Sequence, residues 1–309
     1  QMRVITVLRT SWSSLCIAAS AFSLAGAVVC LKTFHYPLLY LLDIFTLPFL
    51  TATVGLTVTF FLVREKTAWR LGAVASGVWL LALAPQAFAP QRPADMAKPA
   101  IRLIFANLYI DNKTPERLLE WVNVEKPEIV ATVENLSDPD DTPELNGRYP
   151  YHYKHDDTVI YSHYPIASSH HADTEYSFDM LDIRTPQGLM HLAVVHLCQP
   201  KIDTHECQSS QMTRLRADIP VDQRPNTIMV GDFNSSLSAY LLQDFARDMD
   251  FKPVAAPVGT WPSVVPGVLR IGIDNAFAGR NFNLSRRKVG PDNGSDHRPI
   301  VVDIRPART

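Results

Sequence analysis

The chain has 309 residues, 47% apolar and only 19% charged, a length suited to about two domains and a composition that excludes a wholly disordered protein. Residues 1–99 hold eight Lys/Arg and three acids, net +5, whereas residues 100–309 hold 21 basic and 28 acidic side chains, net −7. The uncharged runs of the first part exclude a wholly soluble chain, and the acidic second part argues against a sequence-blind grip on nucleic acid, whose affinity comes from Lys and Arg on phosphates.

Between Arg9 and Lys32 lie 22 uncharged residues, between Asp43 and Arg64 there are 20, and between Arg70 and Arg92 there are 21. About 20 helical residues at 1.5 Å each cross a hydrocarbon core of about 30 Å. The prediction is an anchor over 1–90 with three transmembrane α-helices, at about 10–31, 38–63 and 69–90. Gly26, Gly55, Gly72, Gly77 and Pro48 interrupt these runs, which packed helices in lipid tolerate. The alternative for the first run is a cleaved signal peptide, since Arg3 and Arg9 precede it and Ala25-Gly26-Ala27 is small. Arg3 and Arg9, then Arg64, Lys66 and Arg70, set against Lys32 alone, predict a cytoplasmic N-terminus and second loop. Everything after about residue 91 is then expected outside the cytoplasm, the periplasm if the cell is bacterial and the membrane its inner one. Asp43 falls near the outer end of the second run, where its carboxylate reaches the interface. Residues 91–99 carry prolines and no apolar periodicity, the pattern of a stiff linker.

From residue 100 onward, short apolar runs alternate with amphipathic ones. Strands are predicted at Ile101–Leu108, Ile129–Val133, Thr158–Ser162, Met180–Arg184, Met190–His196, Thr227–Gly231 and Val301–Ile304. Helices are predicted at Thr114–Val124, with Thr114 as N-cap and Pro115 in the first turn, near Ser209–Ala217 and near Ala239–Met249. This mixture describes an α/β sandwich over 100–309 rather than a doubly wound parallel sheet. Cys16 and Cys30 fall in the first span as small apolar side chains. Cys198 and Cys207 are nine apart around Pro200, a spacing that a loop disulfide closes in an oxidising compartment. The alternatives are two unrelated thiols, or a zinc site with His205 that lacks the usual second ligand pair.

Polar residues recur where these strands end: Asn107, Glu134, His196, then Gly231-Asp232-Phe233-Asn234. Ile271-Gly272-Ile273-Asp274 and Ser295-Asp296-His297-Arg298-Pro299-Ile300 flank the last strand. Taken in this order, with Tyr161-Ser162-His163-Tyr164-Pro165-Ile166 and Val195-His196-Leu197, residues 100–306 resemble the endonuclease/exonuclease/phosphatase superfamily. That superfamily includes deoxyribonucleases, apurinic-site endonucleases, neutral sphingomyelinases and inositol polyphosphate 5-phosphatases. With the three-span anchor and Gly259-Thr260-Trp261-Pro262, the chain looks most like a bacterial membrane-anchored branch.

The resemblance implies a four-layer sandwich, two mixed β-sheets face to face with helices outside, and a metal-dependent phosphoesterase. It implies Mg²⁺, with Mn²⁺ as a substitute, on Glu134 with Asn107 and Asp296 nearby, suiting a hard cation that takes oxygen donors. It further implies that Asp232 orients or deprotonates the attacking water, with Asn234 holding that water or the phosphate. His196 and His297 are expected to donate to the phosphate, and Asp274 to hold the His297 ring. A His–Asp pair serves equally well as the base. Val133 stands where the family commonly has Gln before the metal-binding Glu. Tyr151, His152, Tyr153 and His155 compete for a further phosphate contact, and Arg214 and Arg216 follow on a helix, where a solvated face is the simpler reading. Three function classes are open at this point: a phosphodiesterase on a phospholipid or lipid-linked headgroup, or an extracytoplasmic nuclease; a catalytically silent membrane-tethered binding module; and a transporter with an accessory outer domain.

Overall fold

A computed structural model describes residues 2–31, 37–139, 142–172, 177–200 and 205–308. Helix α1 (Met2–Val29), α2 (Pro37–Ile44), α3 (Thr46–Leu62) and α4 (Lys66–Ala87) form the first part. Two stretches, Thr10–Val29 in α1 and Lys66–Ala87 in α4, are long and apolar enough to cross a membrane. The run expected as a middle span is two helices parted at Phe45, the longer of 17 residues. Pro48 explains the break: it lacks an N–H, and its ring would meet the carbonyl of Ile44, four residues back. At the start of α3 the missing donor costs nothing, and the Thr46 hydroxyl donates to the Asp43 carbonyl at 2.7 Å across the break. Helices α1, α3 and α4 pack through Ala27, Leu47, Leu50, Trp79 and Leu83, with Trp79 Nε1 donating to the Ser23 hydroxyl at 3.1 Å. Lys32, the counterweight in the charge comparison, lies outside the described residues.

Residues 91–99 lie against the second domain instead of standing free. The Asp95 N–H donates to the Pro306 carbonyl at 2.8 Å, Arg308 N–H to the Pro93 carbonyl at 2.7 Å, and Arg92 pairs with Asp250 at 2.9 Å. The prolines there remove donors but leave carbonyls to accept.

The second domain follows in the order β1 (Ile101–Asn107), α5 (Arg117–Glu125), β2 (Ile129–Val133), α6 (Pro143–Asn146), β3 (Tyr151–His155), β4 (Thr158–Ser162), β5 (Ile166–His171), β6 (Ser177–Thr185) and β7 (Gly188–His196). Then come α7 (His205–Asp218), β8 (Thr227–Asp232), α8 (Tyr240–Asp248), β9 (Lys252–Pro253), β10 (Asp274–Ala278), β11 (Phe282–Val289) and β12 (Ile300–Pro306). Two six-stranded sheets run β11-β12-β1-β2-β4-β3 and β5-β6-β7-β8-β10-β9. Only β1/β2 and β7/β8 are parallel among these pairs, so both sheets are mixed.

Period-2 alternation builds the layers. Leu103, Phe105, Ala131, Val133, Leu192, Val194, Ile228, Val230 and Val302 fill the space between the sheets. Their neighbours face outward: Ile104, Val130 and Val301 onto Leu118, Trp121 and Val122 of α5, and Ala193, Val195 and Met229 onto Met212 and Leu215 of α7 and Phe245 of α8. Each fully buried Leu, Ile or Val contributes about 1.5–3 kcal/mol by leaving water.

Helix α5 begins at Arg117, not at Thr114. The Thr114 N–H donates to Asn112 Oδ1 at 2.9 Å in a local turn, and its carbonyl accepts from Arg117, so a tight non-α turn precedes the helix. Cys198 and Cys207 are joined in a disulfide, with Cα atoms 6.4 Å apart, and the His205 side chain lies outside the described set. Closing so short a loop is expected to contribute on the order of 2–3 kcal/mol. Labelling unreduced, denatured protein with a thiol reagent should leave both cysteines unmodified, and modification of both would contradict the bond.

Candidate active site

Strand direction gathers the polar residues at one edge. The parallel strands β1, β2, β7 and β8 all end there, delivering Asn107, Glu134, His196 and Asp232 from their carboxyl ends. Strand β10 runs antiparallel to β8 and so begins at that edge, with Asp274 opposite Asp232, while His196 stands in register with Asp232 on the other side. Strand β12, antiparallel to β1, puts the Ser295–Pro299 segment just before it at the same edge.

Two glycines make this approach feasible. A Cβ on Gly231 would lie 2.1 Å from the Val195 carbonyl oxygen, so only glycine lets β8 approach β7 just before Asp232. Gly294 has φ +85°, and a Cβ there would lie 2.2 Å from Thr114 Oγ1, so the turn leading to His297 also requires glycine. Glu134 (φ 50°) and Asn234 (φ 48°) take left-handed backbone without being glycine, strain of the kind that clusters at functional sites. The Asn234 N–H returns to Asp232 Oδ1 at 2.8 Å, and its amide nitrogen donates to the Leu197 carbonyl at 2.8 Å.

Asn107 stands at the centre. Its Nδ2 donates to Glu134 Oε1 at 2.8 Å and to Asp232 Oδ2 at 3.2 Å. His297 Nδ1 bonds Asp274 Oδ2 at 3.0 Å, leaving Nε2 3.6 Å from Asp232 Oδ2. His196 Nε2 lies 3.6 Å from Glu134 Oε1 and 3.8 Å from Asp232 Oδ2. The Ser295 hydroxyl donates to the Asn107 carbonyl at 2.8 Å and accepts from the His297 N–H at 3.0 Å, tying the last loop to β1.

Burial foremost, with Asp274 nearby, raises Asp232 to about 6, against the pull of His297, His196 and the Asn234 N–H. For His297 burial opposes the imidazolium, but Asp274, Asp232 and Asp296 outweigh it and raise the ring to about 10. Burial likewise works against charge on His196, and Asp157, Asp232 and Glu134 overcome it, raising that ring too. At neutral pH the edge therefore presents the His297 imidazolium beside a buried carboxylate, with His196 biased toward its charged form.

Asp157 belongs to this group and carries no signal in the sequence, where it follows Asp156 and looks like a turn former. One oxygen accepts the Glu134 N–H at 3.2 Å and lies 3.8 Å from His196 Nδ1, and the other accepts the Ser177 hydroxyl at 3.2 Å. Gln208 on α7 is similarly silent, and its amide donates to the Phe233 and Asn234 carbonyls at 2.9 and 3.0 Å.

Other expected contacts go elsewhere. Asp296 accepts from Trp261 Nε1 through Oδ2 at 2.9 Å. The Tyr153 hydroxyl donates to buried Asp179 at 2.8 Å, and His155 Nδ1 meets the same oxygen at 2.9 Å, so both face across to β6. Arg214 is exposed on α7, opposite the buried Met212 and Leu215, and Arg216 pairs with Asp248 at 3.1 Å. Tyr151 and His152 are exposed on the edge strand β3.

Asp232, Asp274 and His297 offer ligand atoms within 4.8 Å of one another. Because His297 Nδ1 is already held by Asp274, this trio is better suited to moving a proton than to caging a soft metal. Glu134 fits a hard cation: its side chain is 20% exposed, unlike Asp232 at 1%, and Asn107 stands beside it. Four carboxylates, from Glu134, Asp157, Asp232 and Asp274, face two histidines at this edge, an excess of negative charge that a divalent ion would offset.

A family model described as the Endonuclease/Exonuclease/phosphatase family matches residues 104–297. No curated protein matches the sequence. Among solved structures, a family protein from Bacteroides thetaiotaomicron is similar at 15% identity and TM-score 0.55, over 67% of this chain and 98% of that one. The mannosyl-6-phosphatase of the same organism is similar at 13% identity and TM-score 0.54, over 66% of this chain and 99% of that one. The human Nocturnin catalytic domain is similar at 16% identity and TM-score 0.51, over 67% of this chain and 94% of that one. These likenesses establish the fold.

Proposed function

The chain belongs to the endonuclease/exonuclease/phosphatase family, and from that membership we propose a membrane-anchored, divalent-metal-dependent phosphodiesterase that acts outside the cytoplasm on a phospholipid or lipid-linked headgroup. The observation that carries it is the convergence of Asn107, Glu134, His196, Asp232, Asp274 and His297 on one sheet edge. Asp232 orients the attacking water and accepts its proton, with Asn234 holding the loop in place. His196 and His297 donate to the phosphoryl oxygens, where negative charge develops in the transition state. Asp274 keeps His297 charged and aimed, and Asp157 does the same for His196. A divalent cation held by Glu134, with Asn107 beside it, would supply further neutralisation of the phosphate.

The lipid preference is supported by the anchor and by the net charge of −7 over residues 100–309. One similar structure is a monoester phosphatase, so the deciding experiment is a panel. The full chain in Mg²⁺ or in chelator is offered bis-p-nitrophenyl phosphate, p-nitrophenyl phosphate, DNA and phospholipid vesicles. Metal-dependent turnover fastest on the phospholipid is expected; a preference for DNA would overturn the lipid assignment. On topology, a reporter fused after Thr309 should be active only outside the cytoplasm, and activity confined to the cytosol would contradict the orientation.

Asp274→Asn keeps the His297 ring roughly placed but removes its negative partner. Because His297 is raised, its imidazolium persists through neutral pH and is lost as pH climbs through about 10. The alkaline limb of kcat/KM should therefore move to lower pH in this variant, and an unmoved limb would remove His297 from its donor role.

A further inference from the structure

Helix α2 does not pack with the membrane-type helices alone; it sits on the second domain beside the catalytic edge. The Tyr40 hydroxyl donates to the Ser235 hydroxyl at 2.8 Å, the Ser236 hydroxyl donates to the Asp43 carbonyl at 3.1 Å, and Ile44 packs with Ile271 and Ile273. Ser235 and Ser236 directly follow Asp232-Phe233-Asn234. The α2–α3 break therefore brings a piece of the anchor to within a few residues of the expected base.

Beside this contact is a cavity of about 150 Å³. Leu41, Ile44 and Phe45 line it from the anchor and Trp261, Ile271 and Ile273 from the second domain, with Pro200 and the amide of Gln199 beside them and no charged side chain in the lining. An apolar cavity of this size accommodates a ring as large as benzene. Two lining residues belong to the catalytic edge: Asn234, whose N–H bonds Asp232, and Trp261, whose indole bonds Asp296. On the anchor side lies Phe45, which is 37% exposed and next to the 36% exposed Phe49 on α3. The neighbouring loop adds exposed Val268 and Leu269, held at α3 by the Thr51 hydroxyl donating to the Val268 carbonyl at 2.7 Å. The cavity thus runs from the catalytic edge to apolar helix surface.

We propose that this cavity is the substrate's hydrocarbon subsite, receiving the alkyl chain next to the scissile phosphoester of a lipid that reaches the centre along the α2–α3 break. The assignment rests on the phosphodiesterase reading above and specifies which part of the chain selects a lipid. An uncharged lining continuous with both the phosphate-binding edge and apolar helix surface matches a molecule with a phosphate head and a hydrocarbon tail.

The test compares methyl and octyl p-nitrophenyl phosphodiesters on the full chain in lipid nanodiscs with Mg²⁺. Each buried methylene strengthens binding by a factor of about four, so kcat/KM should favour the octyl ester by about tenfold or more. Leu41→Trp, which fills the cavity, should bring the octyl-to-methyl ratio close to one. A wild-type ratio near one, or an unchanged ratio in a Leu41→Trp protein with a normal thermal melt, overturns the subsite and leaves the phosphodiesterase reading intact. Faster hydrolysis of thymidine 5′-p-nitrophenyl phosphate than of the octyl ester would give the cavity to a nucleobase and also overturn it. A second measurement needs no turnover: octylphosphonate carrying a diazirine on its chain should label peptides containing Leu41–Phe45 or Trp261–Ile273. Labelling confined to the outer faces of α1 and α4 would refute the subsite even if neither ester is cleaved, the outcome that would instead defeat the phosphodiesterase reading.

Discussion

Asp232→Ala and His297→Ala should each lower turnover by on the order of 10²–10⁴, the range for loss of a positioned acid, base or stabiliser of transition-state charge. The two groups lie 3.6 Å apart and are electrostatically linked, so their effects should not add. Removing Asp232 takes the carboxylate from the water and one of two acceptors from the Asn107 amide. Removing His297 leaves Asp274 buried without its cation, so this variant should also lose stability, whereas Asp232→Ala relieves a carboxylate that burial disfavours. The double variant should fall little below the weaker single one. Folded single variants that hydrolyse the best substrate at the wild-type rate would defeat the assignment.

Glu134→Ala should produce a loss of a different kind. Glu134 accepts from Asn107 through one oxygen and from the Ile110 N–H at 3.3 Å through the other, and it is far more accessible to a cation than Asp232 or Asp274. Its removal should raise the Mg²⁺ concentration needed for half-maximal rate by at least the 10–100-fold typical of losing a residue that supports a metal ligand. Saturating metal should restore part of the rate, a rescue that Asp232→Ala must not show. Metal titration of both variants separates the roles, and an unchanged requirement in Glu134→Ala would take Glu134 out of the metal site.

The strands most legible in the sequence are those buried on both faces. Ile129–Val133 and Thr158–Ser162 are mostly β-branched or aromatic, and their predicted limits coincide with β2 and β4. Tyr151–His155 and Ile166–His171 escaped because they are edge strands, polar and largely exposed, with no apolar alternation to mark them. Asp274–Ala278 escaped for another reason: Asp274 and Asn275 at its start favour turns and leave only a three-residue apolar run behind them. The apolar run at 38–63, interrupted by charge only at Asp43, suggested one span because hydropathy does not register where Pro48 stops a helix.

Candidate site residues were legible where they end strands, since direction and register alone bring Asn107, Glu134, His196, Asp232 and Asp274 to one edge. What spacing cannot reveal is a partner from another element. Tyr153 and His155 share a strand face and meet Asp179 on β6, Asp296 meets Trp261, and Arg214 remains in solvent. Asp157 was hidden in a two-residue turn, and the docking of α2 depends on a helix break whose contacts lie about 195 residues away in sequence.

Metal-assisted phosphodiester cleavage is proposed at the edge shared by Asp232 and His297. Its most direct test is the rate of bis-p-nitrophenyl phosphate hydrolysis by the purified full chain, in Mg²⁺ and in excess chelator, beside Asp232→Ala prepared identically. Turnover should be abolished by chelator, restored by added Mg²⁺ and lowered by the substitution by on the order of 10² or more. Hydrolysis that persists in chelator, or that Asp232→Ala retains in full, would contradict it.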